Sequence, residues 1–146
     1  MKITIQDIPE GEEDEIIIRC KKMDEGLLKM IYALKTGRDK ITVSKDDKLF
    51  QIQPMSVYYF EAVDNRTFAY LEKDVYETKF RLYELEERLV GTDFFRATKS
   101  TIINLSKVES LSPAFSGRFE VCMKNGEKLI VSRQYVPLLK KKLGLS

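Results

Sequence analysis

The run Phe94 to Val108, FFRATKSTIINLSKV, sets Arg96, Lys99 and Lys107 into a frame of residues of the buried type. A segment as apolar as Thr101 to Leu105 belongs to ordered structure, so Ala97-Thr98-Lys99-Ser100 is expected to be a short loop between rigid flanks. A lysine and small hydroxyl side chains on such a mount suit hydrogen bonding to phosphate oxygens or base edges. Two other segments repeat the pattern of a polar or basic tip between ordered elements, Asp64-Asn65-Arg66 and Ser132-Arg133-Gln134. Arg bridges a guanine edge with two hydrogen bonds, Asn does so to adenine, and Lys or Ser takes phosphate or base acceptors. On one edge of a sheet, three such tips would fit a major groove. A plain surface connection, with its charges serving solubility, is the competing reading of the same residues.

The charge distribution favours a polyanion. Residues 1–90 carry 15 Lys and Arg against 19 Asp and Glu, and residues 91–146 carry 10 against 4, so the two parts have net charges of −4 and +6. A basic C-terminal third on an acidic body points to a polyanionic partner met by one face. The alternative is a protein-interaction or dimerisation module that docks this basic third on an acidic partner, with the acidic N-terminal segment of a second copy as one such surface.

The chain has no histidine, which removes the commonest general base, Ser-His and Cys-His pairs and His-containing zinc sites. Asp46-Asp47 reads as a turn and Glu84, Glu86 and Glu87 as a helix surface, so no carboxylate pair supports catalysis, and an enzyme is not expected. Cys20 and Cys122 lie far apart among apolar or strand-like neighbours and read as reduced, buried thiols. No cofactor or metal site is expected. No apolar run approaches the roughly 18 residues that span a bilayer, and MKITIQDIPEGEEDE lacks a signal-peptide core, so the cytoplasm is the expected compartment.

The elements that must position the tips follow from periodicity. Lys2 to Gln6 alternates like a strand, Glu10 to Glu15 is a solvated turn, and Ile16 to Ile18 reads as a second strand of a hairpin. Asp24 caps a helix with Leu27, Leu28, Ile31 and Leu34 on one face, and Gly37 stops it. This βα-type appendage, residues 1–38, is assigned to dimerisation or regulation; residues 39–146 form the second domain. Short strands follow over Ile41 to Val43, Leu49 to Ile52, Val57 to Val63 and Phe68 to Leu71, with turns at Asp46-Asp47 and Asp64-Asn65. Thr78 to Val90 reads as one amphipathic helix with Leu82, Leu85 and Leu89 in its apolar stripe. A strand near Val108 to Leu111 breaks at Ser112-Pro113. Arg118 to Met123 and Lys128 to Val131 then flank an Asn125-Gly126 turn of type I′, and a helix from Pro137 to Leu143 closes the chain. The class is mainly β with a few helices, an α+β arrangement. Tyr58, Tyr59 and Phe60 are placed in the core rather than on a base-stacking surface, and Lys140 to Lys142 complement a helix dipole.

From about Lys40 to Leu143 the chain resembles the LytTR-type DNA-binding domain of bacterial transcriptional regulators. The resemblance rests on Tyr59-Phe60-Glu61, on the helix ending Leu85 to Leu89, and on Phe95-Arg96 followed by Lys99-Ser100 and Ile103-Asn104-Leu105. It continues through the end NGEKLIVSRQYVPLLKKKLG. It implies an elongated antiparallel β fold whose loops enter successive major grooves of double-stranded DNA, bend the duplex and bind repeated half-sites as a homodimer. By position it places base reading at Arg66, Lys99 and Arg133, and phosphate contact at Asn65, Arg96 and Ser100. Many members carry histidine just before the basic or amide residue of the second loop, where this chain has Thr98, so a different preferred sequence is expected. Asn104 matches a family position, and its expected role is to satisfy backbone groups in a buried turn. No receiver domain or phosphoacceptor site is recognisable, which leaves control to the protein's amount, a partner protein or a small molecule.

Overall fold

The computed structural model describes residues 2–36 and 40–145, and the side chains of residues 32, 33, 35 and 36 are outside the description. The chain divides into two units after Thr36. The expected helix stop at Gly37 and the expected domain boundary at 38/39 fall outside the described residues.

In the first unit, helix α1 spans Glu25–Thr36, and Asp24 caps it as expected: its Oδ1 accepts the Leu27 N–H at 2.7 Å. The expected N-terminal hairpin is absent, because Lys2 to Gln6 and Ile16 to Ile18 make no strand pairing. Ile3, Ile5, Ile16 and Ile17 are all exposed. Alternation creates an apolar face, but a lone two-stranded ribbon with nothing to cover that face does not hold. Cys20 is likewise exposed and Cys122 half-buried, which corrects the expectation of buried thiols; both are free.

The second unit is built on β1 (Ile41–Lys45), β2 (Lys48–Ile52), β3 (Tyr59–Val63), β4 (Arg66–Tyr70), β5 (Val75–Thr78), α2 (Leu82–Arg88), β6 (Phe94–Thr98), β7 (Thr101–Asn104), β8 (Val108–Pro113), β9 (Phe119–Met123), β10 (Lys128–Val131) and α3 (Val136–Lys142). Seven strands form one sheet in the order β2-β1-β5-β4-β3-β7-β6, and three form another in the order β10-β9-β8; every pairing is antiparallel. The fold is therefore mainly antiparallel β with a few helices, as expected.

Successive strand residues face opposite sides of a sheet, and both sides of the larger sheet are covered. Phe60, Phe94 and Ile102 turn to one face, where Leu82, Leu85 and Leu89 of α2 complete a core. Tyr59, Phe95 and Ile103 turn to the other, against Val121, Met123 and Val131 of the smaller sheet and Leu139 of α3. The rings of Tyr59 and its cross-strand partner Tyr70 stack with centroids 4.3 Å apart. These aromatics are core residues.

Local chemistry sets the connections. Asp46-Asp47 and Asp64-Asn65 have both central φ angles positive (51° and 62°, 51° and 64°), the backbone a two-residue hairpin turn of type I′ needs. The Asn125-Gly126 turn differs from expectation, because only Gly126 is left-handed, with φ 89°. There the Gly126 N–H donates to Met123 O at 2.9 Å and the Glu127 N–H to Asn125 Oδ1 at 3.1 Å. The loop is thus a tight turn followed by a left-handed glycine that resets the register, rather than I′. Thr78 also departs from expectation. It pairs with Thr67 as the last residue of β5, and the helix starts only at Leu82, where Glu84 Oε1 accepts the Arg81 N–H at 2.9 Å. Pro113 ends β8 rather than breaking it, and β8 is an edge strand, where a missing N–H is tolerated.

Asn104 is fully buried at the end of β7. Its Nδ2 donates to Val57 O at 2.8 Å, and its Oδ1 accepts from Ser106 N at 3.0 Å and Ser106 Oγ at 2.7 Å. It does satisfy backbone groups in a buried turn. Asn104→Ala would leave a buried carbonyl and an amide without partners and is expected to destabilise the domain by about 2–4 kcal/mol, read as a lower urea midpoint at unchanged slope.

Candidate nucleic-acid interface

The β6–β7 hairpin carries Lys99 and Ser100 at its tip, and its geometry starts with a bulge. Pairing runs Arg96↔Ile102 and then Thr98↔Thr101, so Ala97 has no partner on β7. A bulge bends its strand and re-aims the residues beyond it. Here it also directs the Ala97 carbonyl outward, where it accepts the Ser132 N–H at 2.8 Å. One backbone bond therefore brings the segment after β10, with Arg133, alongside the Lys99 tip. Thr98, Lys99 and Ser100 and Ser132, Arg133 and Gln134 line a shared depression. Lys99, Ser100, Arg133 and Gln134 are exposed.

Within the tip, Thr98 Oγ1 accepts the Ser100 N–H at 3.1 Å and lies 3.4 Å from Ser100 Oγ. Thr98 thus closes the turn on itself. Arg96 supports the same turn from behind. Its Nε donates to Thr98 O at 2.8 Å, its Nη2 to Lys99 O at 2.5 Å, and its Nη1 contacts the Glu86 carboxylate of α2. Its side chain is only 18% exposed. All three guanidinium nitrogens are engaged inside the protein.

Arg66 is placed differently. It follows the Asp64-Asn65 turn, which leaves the sheet at the same end as the Lys99 tip, since the Ala62 N–H donates to Ser100 O at 2.8 Å. Its guanidinium forks onto Glu77 of β5, Nη2 to Oε1 at 2.5 Å and Nε to Oε2 at 3.2 Å, and lies over the Phe68 ring. The pairing hydrogen bonds hold the Glu77 carboxyl below its ordinary range and raise Arg66 above its own. Asn65 is exposed with φ 64°. Neither residue lines the depression between the other two tips.

Among the described residues, Lys99 and Arg133 have no acidic partner, in contrast to Arg66 with Glu77, Arg96 with Glu86 and Lys45 with Asp74. Two adjacent cations without counter-charge in a concave site concentrate positive potential. Gly117, outside the sequence-derived set, seats the stem of Arg133: a Cβ built on it, at φ +76°, would stand 3.1 Å from both Cγ and Cδ of Arg133. The only trace of this in the sequence is the Ser116-Gly117 pair, which marks a turn without saying what it touches. Arg96→Ala is expected to cost about 1–3 kcal/mol of stability by denaturant unfolding, and to speed hydrogen exchange at Ser100 more than at Ile102.

The LytTr DNA-binding domain family matches residues 47–144. The sensory transduction protein LytT of Enterococcus faecalis is 30% identical over 108 residues, covering 74% of this chain and 45% of that protein. The transcriptional regulatory protein YpdB of Escherichia coli K12 is 28% identical over 87 residues, covering 60% of this chain and 36% of its own length. The chain therefore spans less than half of either relative. A solved LytTr DNA-binding domain from Bacillus cereus superposes with a TM-score of 0.69 at 29% identity, over 73% of this chain and 97% of that one. These matches carry DNA binding and not catalysis. Covering β2 to β10, the bulged β6–β7 hairpin and the basic segment after β10 in one stretch, the family match makes the chain a member of the LytTr DNA-binding domain family.

Proposed function

We propose that this protein is a sequence-specific, double-stranded DNA-binding regulator of transcription, which reads bases with the Lys99 tip and with Arg133. The observation that carries this reading is the convergence on one depression of those two exposed cations, neither with an acidic partner among the described residues. Both lie on mounts fixed by backbone hydrogen bonds, so their spacing is preset and little ordering is needed on binding. Loop insertion into successive major grooves fits the arrangement, because a tip beyond the end of a strand pair can enter a groove while the sheet stays outside. Ser100, beside Lys99, is placed for a phosphate. Arg96 acts from inside as the brace of the tip, and this brace replaces the phosphate contact expected of it. Asn65 and Arg66 belong to a first tip that takes part if Arg66 leaves Glu77. Recognition of repeated half-sites by a homodimer is the assembly this reading implies, with residues 1–38 as its dimerisation or regulatory part and the cytoplasm as its compartment.

Selection from a random duplex library, followed by titration against a scrambled duplex in rising salt, tests the proposal. With about six phosphate contacts the log–log slope should be near −5. Lys99→Ala and Arg133→Ala should each lose about 1–3 kcal/mol of discrimination with the fold intact. Uniform binding of all duplexes, or binding indifferent to salt, would refute the reading. An acidic protein surface would meet the same cations, and it would leave the selection without enrichment.

The Arg66–Glu77 pair adds a proton-linked check. A depressed carboxyl contributes stability that is present above its ordinary titration range and lost as pH falls through its lowered one. In the free protein the Glu77 side-chain resonance should therefore titrate below the ordinary glutamate range, and Arg66→Ala should bring it back up. Saturation with the selected duplex should raise it too if Arg66 is transferred to a base. An unchanged Glu77 titration in the complex would remove Arg66 from the base-reading set.

A further inference from the structure

The connection between β8 and β9 is a short projecting tip. The Ala114 N–H donates to Arg118 O at 2.8 Å and closes it, and Ser116 and Gly117 take φ 61° and 76° at its turn. Phe115 stands on it 87% exposed. The topology fixes where this tip lies. Phe119 of β9 pairs with both Pro113 of β8 and Val131 of β10. The start of β9 and the ends of β8 and β10 therefore share one end of the smaller sheet, and Arg133 follows two residues after Val131. The stem of Arg133 lies over Gly117, and Ser116, Arg118, Ile130, Ser132 and Arg133 line one concavity. Ser132 and Arg133 also line the depression with Lys99. Lys99, Arg133 and Arg118 thus follow one another along a continuous edge, and among the described residues none of the three has an acidic partner.

We propose that residues 114–118 form a further DNA-contacting element that extends the interface beyond Arg133. Arg118 takes a backbone phosphate, and the Phe115 ring rests on the apolar edge of the duplex, deoxyribose or thymine methyl, next to the bases Arg133 reads. The proposal rests on the DNA-binding reading above. A large ring held in water at the end of a closed turn gains from a partner with an apolar edge, and duplex DNA offers one beside its phosphates. A phosphate contact by Arg118 adds affinity and salt dependence without base preference, whereas the ring contributes little to the salt slope. Gly117 serves as the seat of Arg133: a side chain there would push the Arg133 stem away from the tip.

Phe115 and Arg118 are exposed, so Phe115→Ser and Arg118→Ala should keep the fold, which the unfolding midpoint verifies. The full chain and both variants are titrated with the selected and the scrambled duplex over a salt series, with Lys99→Ala alongside. Arg118→Ala is expected to weaken binding to both duplexes alike and to reduce the log–log slope by about one. Phe115→Ser is expected to weaken the selected duplex about fivefold or more with the slope unchanged. Wild-type affinity and slope in both tip variants, with recognition lost in Lys99→Ala, would overturn this proposal and leave the DNA-binding reading in place. No sequence preference in the unmodified chain would bring down that reading instead, and this proposal with it. A shift in sedimentation of Phe115→Ser without any change in DNA binding would assign the ring to contact with a second copy and also overturn the proposal.

Discussion

Three pairs of adjacent side chains, Tyr59-Phe60, Phe94-Phe95 and Ile102-Ile103, are each divided between two cores, one under α2 and the other under the smaller sheet and α3. A strand buried on both faces cannot slip by one residue without exchanging every contact on both sides, so its register is doubly specified. β3, β6 and β7 are locked in this way, and these are the strands from which the Asp64-Asn65 and Lys99-Ser100 tips project. The tips can be polar and exposed because none of them contributes to the packing that places them. Asn104 completes the lock from the side, tying the end of β7 to the carbonyl of Val57 just before β3.

Electrostatics then sorts the cations into two kinds. Arg66 and Arg96 are forked or clasped onto carboxylates and carbonyls, while Lys99, Arg118 and Arg133 stand on neighbouring tips without acidic partners among the described residues. A guanidinium whose nitrogens are already engaged, as in Arg96, organises backbone, and its planar fork suits that task better than an ammonium would. The formal excess of positive charge in the last third of the chain is thus only partly available to a partner. Of what is available, Lys99, Arg118 and Arg133 lie along one edge.

Much of this was legible in the sequence. Short apolar and aromatic runs between turn residues identified β1 to β4 and β8 to β10, the leucine stripe identified α2, and Asp46-Asp47 and Asp64-Asn65 marked their turns. The motif order pointed to the family. Errors arose where one local signal had two structural outcomes. Asn125-Gly126 fits a type I′ turn and also a tight turn before a left-handed glycine, and the loop length set by the Cys122↔Lys128 pairing decides between them. Thr78 has the look of a helix start, but β4 lacks a second neighbour unless Val75 to Thr78 joins the sheet. Lys2 to Gln6 alternates without anything to alternate against. The meeting of Lys99 with Arg133, the clasp of Arg96 and the seat at Gly117 depend on strand order across the sheets, which residue spacing does not encode.

The bulge at Ala97 has an evolutionary consequence. It frees one carbonyl, and that carbonyl anchors the segment bearing Arg133 through a main-chain bond. Main-chain geometry is indifferent to side-chain identity. On the proposed reading, lineages can therefore diversify the letters read at each tip by single substitutions, while the distance between those letters stays frozen. Changing that distance would require an insertion or deletion in a strand locked between two cores, so operator spacing should drift far more slowly than operator sequence.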